Sequence, residues 1–302
     1  VSWVKHRRLS NYTAKAEPLQ MLFVLVASHG CSFLVASYNL SEYHSPAQIA
    51  YANEVQQRRG PDATKILFEG GWTFLHNLLS MTGVFTLQPF ISYKSTGAMV
   101  ALFNGEIYNY RELALELTGH PDSFLSDGHV LLPAYKRWGA NFVRRLHGEF
   151  SLVLVDFTQR HLLLSADVFG TKPLWWAAWR ERAETEWRFL IASYESVLTR
   201  LGAPAEVHQM AAPNEALLFG FGGRGRFPLR KVVQLKTWDL RQHKNSSSDW
   251  AAAFQRAVAV RTRGIKHRVF IGLSSGYDSG AIMLALKLQV IPAQQLAEAF
   301  SP

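Results

Sequence analysis

"ASHGCSFLVASYNL", residues 27–40, holds Cys31, the single cysteine in 302 residues. The run that Cys31 heads, "CSFLVASY", is apolar and rich in strand formers, which predicts a buried strand with a thiol at its first position. A lone cysteine is ordinarily a small buried apolar residue. Being alone, it excludes an internal disulfide and a cysteine-rich zinc site, and it is compatible with a reducing compartment. Whether it is filler or a nucleophile depends on what surrounds it.

Working outward, "SPAQIAYANEVQQRRG" predicts a helix, with Ser45 as N-cap, Pro46 at the first position, Gln48 closing a capping box and Gly60 stopping it. Strands are expected near "KILF" and "WTFLH", and "AMVALF" runs as a strand into the turn-rich "NGEIYNY". Helices follow at Arg111–Leu117 and Val130–Trp138. "EFSLVLVDFTQRHLLLSADVFG" reads as a hairpin, and "PLWWAAW" and "WRFLIAS" add strands. This pattern is α+β, sheets covered by helices. Residues 202–248, rich in Gly, Pro and Arg and closing on "NSSS", read as a connecting segment. Beyond them "DWAAAFQRAVAVR", "RVFIGL", "SSGYDSG" and "AIMLALKL" give helix, strand, loop and helix, the start of a parallel α/β domain. That last piece, 249–302, is too short to bury a core of its own, so the chain is expected to stop inside a domain.

The net charge is +9, and twelve Lys and Arg against Asp239 and Asp249 concentrate it between residues 224 and 268. That stretch lacks a regular interleaving of aromatics and any nucleic-acid motif, so it reads as a solvated basic face near a phosphate-using site. No apolar run reaches the ~18 residues of a membrane span. Residues 1–30 loosely mimic a targeting or propeptide segment, basic residues followed by "MLFVLVA". The expected location is cytoplasmic, with organellar targeting by residues 1–30 left open. The histidines show no metal-ligand spacing, so no metal site is expected.

Five short motifs follow one another: Cys31, "RRGPD" (58–62), "HNLLS" (76–80), "NGEIYNYREL" (104–113) and "SDGH" (126–129). Singly, each is a turn or a core position. In this order and spacing, with "SADVFGTKPLWW" and "ASYESVL" after them, residues 31–200 resemble the class II glutamine amidotransferase domain of glutamine-hydrolysing asparagine synthetases. The resemblance implies an N-terminal-nucleophile αββα sandwich over 31–201. It implies that Cys31, as the mature N-terminal residue with its own α-amine as base, attacks the side-chain amide of glutamine. Asn104 and Gly105 match the oxyanion-hole pair, Asp127 the carboxylate that holds the substrate α-amino group, and Glu106 a residue beside the substrate. Arg59 matches an arginine read as structural. One position departs: the family's "H-x-R-L-S" binds the glutamine α-carboxylate through its arginine, and Leu78 stands there instead. A charge-assisted bond worth roughly 1.5–3 kcal/mol is lost. Another cation substitutes, or glutamine binds weakly, or ammonia is the nitrogen source.

"LSSGYDSG", 273–280, resembles the pyrophosphate loop of ATP pyrophosphatases, with Ser275 replacing one glycine. The resemblance implies that Leu273, Ser274, Ser275, Gly276, Asp278 and Ser279 surround the phosphates of ATP, which brings Mg²⁺ with it; a loop opening a helix suits anions. Taken alone, the same residues make a polar strand-to-helix turn with a capping Ser or Asp. The order of the two motifs is that of an asparagine synthetase, with glutamine, aspartate and ATP as substrates and no nucleic-acid or membrane partner; a homodimer is compatible with it. The alternatives are a non-catalytic regulatory or scaffold homologue, an ammonia-dependent synthetase, and an amide-forming cyclase.

Overall fold

The computed structural model describes residues 22–23, 30–81, 83–180, 187–222, 230–236, 247–262, 269–273 and 276–288. They fall into two units, one of residues 25–265 and one of residues 1–24 with 266–302.

The smaller unit holds β1 (Leu22–Phe23), which pairs in parallel with a strand at Val269–Phe270, and a following helix at Tyr277–Leu288. The larger unit opens with β2 (Ser32–Ala36), a short α1 (Leu40–Tyr43) and α2 (Pro46–Gln57). The expected capping box forms: Ser45 Oγ accepts from Gln48 N at 3.3 Å while Gln48 Oε1 accepts from Ser45 N at 2.8 Å. Then come β3 (Ala63–Glu69), β4 (Trp72–Leu78), β5 (Phe90–Lys94), β6 (Gly97–Ile107), α3 (Tyr110–Thr118) and α4 (Leu131–Trp138). The hairpin is β7 (Gly148–Asp156) and β8 (His161–Ala166), followed by β9 (Trp175–Trp179), β10 (Arg188–Ala192) and α5 (Glu195–Arg200).

The stretch that read as connection contains three strands, β11 (His208–Met210), β12 (Glu215–Gly220) and β13 (Arg230–Lys236), before α6 (Ser247–Thr262). Its Gly, Pro and Arg residues masked them, because a short strand needs only a few apolar residues once a neighbouring sheet edge supplies its hydrogen-bond partners. β12 takes that role, pairing with β8 on one side and β13 on the other. The strand at Val269–Phe270 is β14 and the last helix α7.

Two six-stranded sheets result, ordered β11-β9-β10-β2-β4-β3 and β13-β12-β8-β7-β6-β5, and every pairing in them is antiparallel. Strand periodicity explains the layers. Phe33 and Val35 of β2 meet Val100 and Leu102 of β6 and Val153 and Val155 of β7 in one core between the sheets. The alternate residues Leu34 and Ala36 pack on Ala52, Val197 and Leu198 of α2 and α5. Met99, Ala101 and Phe103 pack on Leu113 of α3 and Leu131, Ala134 and Tyr135 of α4. Burial on both faces is why these strands read as continuous apolar runs, and each large side chain so buried contributes about 1.5–3 kcal/mol. The architecture is α+β, an αββα sandwich. No described helix is long and apolar enough to cross a membrane.

Candidate active site

Cys31 sits directly before β2, at the end of the sandwich where β4 and β6 also finish. Its Sγ accepts from Leu79 N at 3.4 Å and lies 3.7 Å from Leu79 O. Burial pushes the thiol up to about 12; Glu106 and Asp127 push the same way, while the Leu79 hydrogen bond and the Arg59 charge pull it down. At neutral pH the group is therefore a thiol, and attack requires a base to take its proton.

The strand that carries the nucleophile is pinned from behind by a polar network. Asn77 Nδ2 donates to Ser32 Oγ at 3.1 Å and to Asn53 Oδ1 at 2.8 Å, while Asn53 Nδ2 and Thr64 Oγ1 donate to Asn77 Oδ1 at 3.1 and 2.8 Å. Ser32 Oγ in turn donates to Gln56 O at 2.7 Å. A buried network satisfied in this way rigidifies what it touches.

The "NG" at 104–105 is strand, not turn: β6 continues through both residues, with Asn104 opposite Ser151 and Gly105 opposite Phe150 of β7. Gly105 makes this pairing possible. Its φ is +143°, and a Cβ there would stand 1.9 Å from Glu149 O. Only glycine lets the two backbones meet so closely. Just upstream, Phe103 is clamped: Gln88 Nε2 donates to its carbonyl at 3.1 Å and Gln88 Oε1 accepts its N–H at 2.8 Å. His76 Nε2 reaches the same carbonyl at 3.3 Å, and burial pulls His76 down to about 4, so it is neutral and donates that bond.

The clamp presents Asn104 with 0% exposure and with neither Nδ2 nor Oδ1 hydrogen-bonded among the described residues. Buried amides are ordinarily partnered. This one lies beside the nucleophile, since a Cβ on Gly30 would fall 2.9 Å from Asn104 Oδ1.

Asp127 opens a 3-10 turn, Asp127–Val130, that Ser126 and His129 cap. Its Oδ2 accepts from Ile107 N at 2.8 Å and its Oδ1 from Gly128 N at 2.9 Å. Burial nevertheless pushes the carboxyl up to about 6. The structure thus gathers Cys31, Asn104, Gly105, Glu106 and Asp127 at one end of the sandwich.

Two features escaped the sequence reading. Gln88 is a positioning group with no motif signal, and His76, although it opens "HNLLS", was given no role of its own, because both roles are set by the backbone these side chains happen to face. Arg59 was assigned a structural role. It is 4% exposed, and its Nε and Nη2 have no hydrogen-bond partner among the described residues. Its turn is sewn to β4: Asp62 N donates to Leu78 O at 3.0 Å, Asp62 Oδ2 accepts from Ser80 N at 2.7 Å, and a Cβ on Gly60 would meet Asn77 O at 2.2 Å. Leu78 is buried, as its place in β4 requires.

In the smaller unit, the residues matched to a pyrophosphate loop surround the start of α7. Leu273 is half-buried and Gly276 exposed; Asp278 and Ser279 lie in the first helical turn, with Ser279 Oγ donating to Gly276 O at 3.2 Å. Ser274 and Ser275 lie outside the described residues. Among the described residues there is no group of three or more His, Cys, Asp or Glu able to hold a metal ion.

Residues 31–249 match a family profile described as "Glutamine amidotransferase domain". "Asparagine synthetase [glutamine-hydrolyzing] 2" of Bacillus subtilis (strain 168) is 34% identical over 119 residues, 39% of this chain and 16% of its own length. "Asparagine synthetase [glutamine-hydrolyzing]" of Gallus gallus is 34% identical over 121 residues, 38% of this chain and 21% of its own. The matched stretch therefore spans about a fifth or less of these relatives. The glutamine phosphoribosylpyrophosphate amidotransferase of B. subtilis, solved with ADP and GMP, shares the fold with a TM-score of 0.50 at 15% identity, over 86% of this chain and 64% of that one.

Proposed function

Because this chain belongs to the glutamine amidotransferase domain family, we propose that its larger unit releases ammonia from glutamine at Cys31 and that the ammonia serves ATP-dependent conversion of aspartate to asparagine. The observation that carries the first half is the pairing of a buried thiol with a buried amide at Asn104 beside it that has no hydrogen-bond partner among the described residues. A donor left unmade in the resting protein is a donor available to a developing oxyanion.

In this reading Cys31 Sγ attacks the side-chain amide carbon of glutamine. Its proton passes to the Cys31 α-amine and on to the departing nitrogen, which leaves as ammonia. Asn104 Nδ2 and the Gly105 N–H hold the oxyanion, and Asp127, ionised above pH 6, holds the substrate ammonium. Water then hydrolyses the thioester to release glutamate. The α-amine exists only in a chain that begins at Cys31, so cleavage of the Gly30–Cys31 bond is a condition of catalysis.

For the second half, the start of α7 suits an anion: a helix N-terminus with exposed Gly276 beside it and Ser279 in its first turn. Leu273, Ser274, Ser275, Gly276, Asp278 and Ser279 would hold ATP with Mg²⁺, and the nucleotide supplies activation of the aspartate β-carboxylate. A second reading, a non-catalytic regulatory homologue, is favoured by Leu78, which puts an uncharged side chain where the carboxylate anchor is expected.

One assay separates the two. The chain beginning at Cys31 is incubated with glutamine, and glutamate and ammonia are measured. Equimolar release, abolished in Cys31→Ala, is expected; release absent or unchanged by that substitution sinks the glutaminase.

A further inference from the structure

We propose that the Nε–Nη2 edge of Arg59 binds the α-carboxylate of glutamine, taking the role for which Leu78 leaves no charge. The inference rests on the glutaminase reading and deepens it.

Arg59 is buried and uses only part of its guanidinium. Nη1 donates to Tyr194 Oη at 3.3 Å, and the guanidinium carbon lies 5.4 Å from the Tyr194 ring centroid. Nε and Nη2 have no hydrogen-bond partner among the described residues. These two nitrogens form one side of the guanidinium fork, the edge that takes a carboxylate through two parallel N–H···O bonds. A buried cation with unmade donors is costly unless something completes it. A purely structural arginine would spend that edge on carbonyls or a carboxylate of its own chain.

The edge also lies in the right place. Nη2 would be 3.5 Å from a Cβ built on Gly30, the residue before the nucleophile, so the guanidinium reaches the space that Gly30 leaves open by having no side chain. In extended glutamine, the amide carbon and the carboxylate carbon are four bonds apart, about 5 Å. Arg59 Nη2, lying against the neighbour of Cys31, is on the side of the nucleophile where such a span has to end. The charges felt at the thiol complete the picture: Glu106 and Asp127 are the anions and Arg59 is the cation. A zwitterionic amino acid needs one of each, and Arg59 is the group that can meet its carboxylate. Gly60, locked against Asn77 O, fixes Arg59 next to the end of β4 where Leu78 sits.

The test uses the chain beginning at position 31 with Cys31→Ala, so that ligand is not turned over, titrated calorimetrically with L-glutamine and with its α-amide, which lacks the carboxylate. Glutamine should bind roughly 10- to 150-fold tighter than the α-amide, the range for a hydrogen bond to a charged group. Adding Arg59→Gln should remove the preference, and Arg59→Lys, which keeps the charge but not the fork, should retain part of it. Circular dichroism checks folding; if Arg59→Gln does not fold, the Arg59→Lys comparison decides. Equal affinity for the two ligands in the parent chain, a preference that survives in folded Arg59→Gln, or one left undiminished in Arg59→Lys overturns the assignment. A parent chain that binds neither ligand overturns the glutamine reading itself.

Discussion

Replacing Asn104 by alanine should make the protein more stable and its glutaminase slower. The side chain is wholly buried, and both polar atoms of its amide lack partners among the described residues. An unsatisfied buried polar group costs about 1–3 kcal/mol. Truncation removes that cost but loses the packing of a few side-chain atoms, on the order of 1 kcal/mol. The net gain is about 0–2 kcal/mol, which for a unit of this size raises Tm by roughly 2–4 °C per kcal/mol. Loss of one oxyanion donor should lower kcat by about 10²–10³. Thermal unfolding of Asn104→Ala beside the parent chain reads the first effect, and glutamate release by chains beginning at Cys31 reads the second. A fall in Tm would show that the amide is a satisfied structural group and would refute the argument that it is held unmade for the reaction. Such opposition between stability and activity is expected where a fold keeps donors ready for a transition state.

Other perturbations have equally definite outcomes. With its thiol pushed up to about 12, Cys31 of the 302-residue chain should react with iodoacetamide about a thousandfold more slowly than free cysteine at pH 7.5, the rate rising tenfold per pH unit to beyond pH 10; a fast, pH-flat reaction would contradict it. Asp127 holds its proton up to about pH 6, so glutamine affinity should climb as pH rises to 6 and level off above. Because the folded pKa is raised, Asp127 also favours folding at low pH, and that contribution fades as pH rises from 3.8 to 6; Asp127→Asn should flatten both profiles in titrations and melts. Gly105→Ala drives a Cβ into Glu149 O at a φ of +143° and should cost more than ~3 kcal/mol in chemical denaturation.

Helices α2, α3 and α4 were legible because their signals are local, whereas α1 and α5, four and six residues long, carry too short a pattern to read. The Ser45–Gln48 capping box and the apolar faces of α3 and α4 were visible in the sequence within a residue or so of where they formed. β12 and β13 were not, because they are specified by the edge of β8 rather than by their own composition. The "NG" of β6 misled for a related reason: its glycine answers the approach of β7, forty residues later in the chain, and not a local turn.

The site divides along the same line. Order and spacing of short motifs in the sequence singled out Cys31, Asn104, Gly105, Glu106 and Asp127, since nucleophile, donors and carboxylate are residue types that a chemistry demands. What those residues experience was decided only in three dimensions. Burial by the two sheets makes Cys31 a poor acid and leaves Asn104 without a partner among the described residues. The clamp of Gln88 and His76 on Phe103 fixes the strand that presents the amide. The sequence alone showed that Leu78 lacks a charge. That a buried arginine nineteen positions earlier keeps an open fork beside Cys31 depends on a turn sewn to β4, because hydrogen-bond satisfaction belongs to neighbours in space and not to neighbours in the chain.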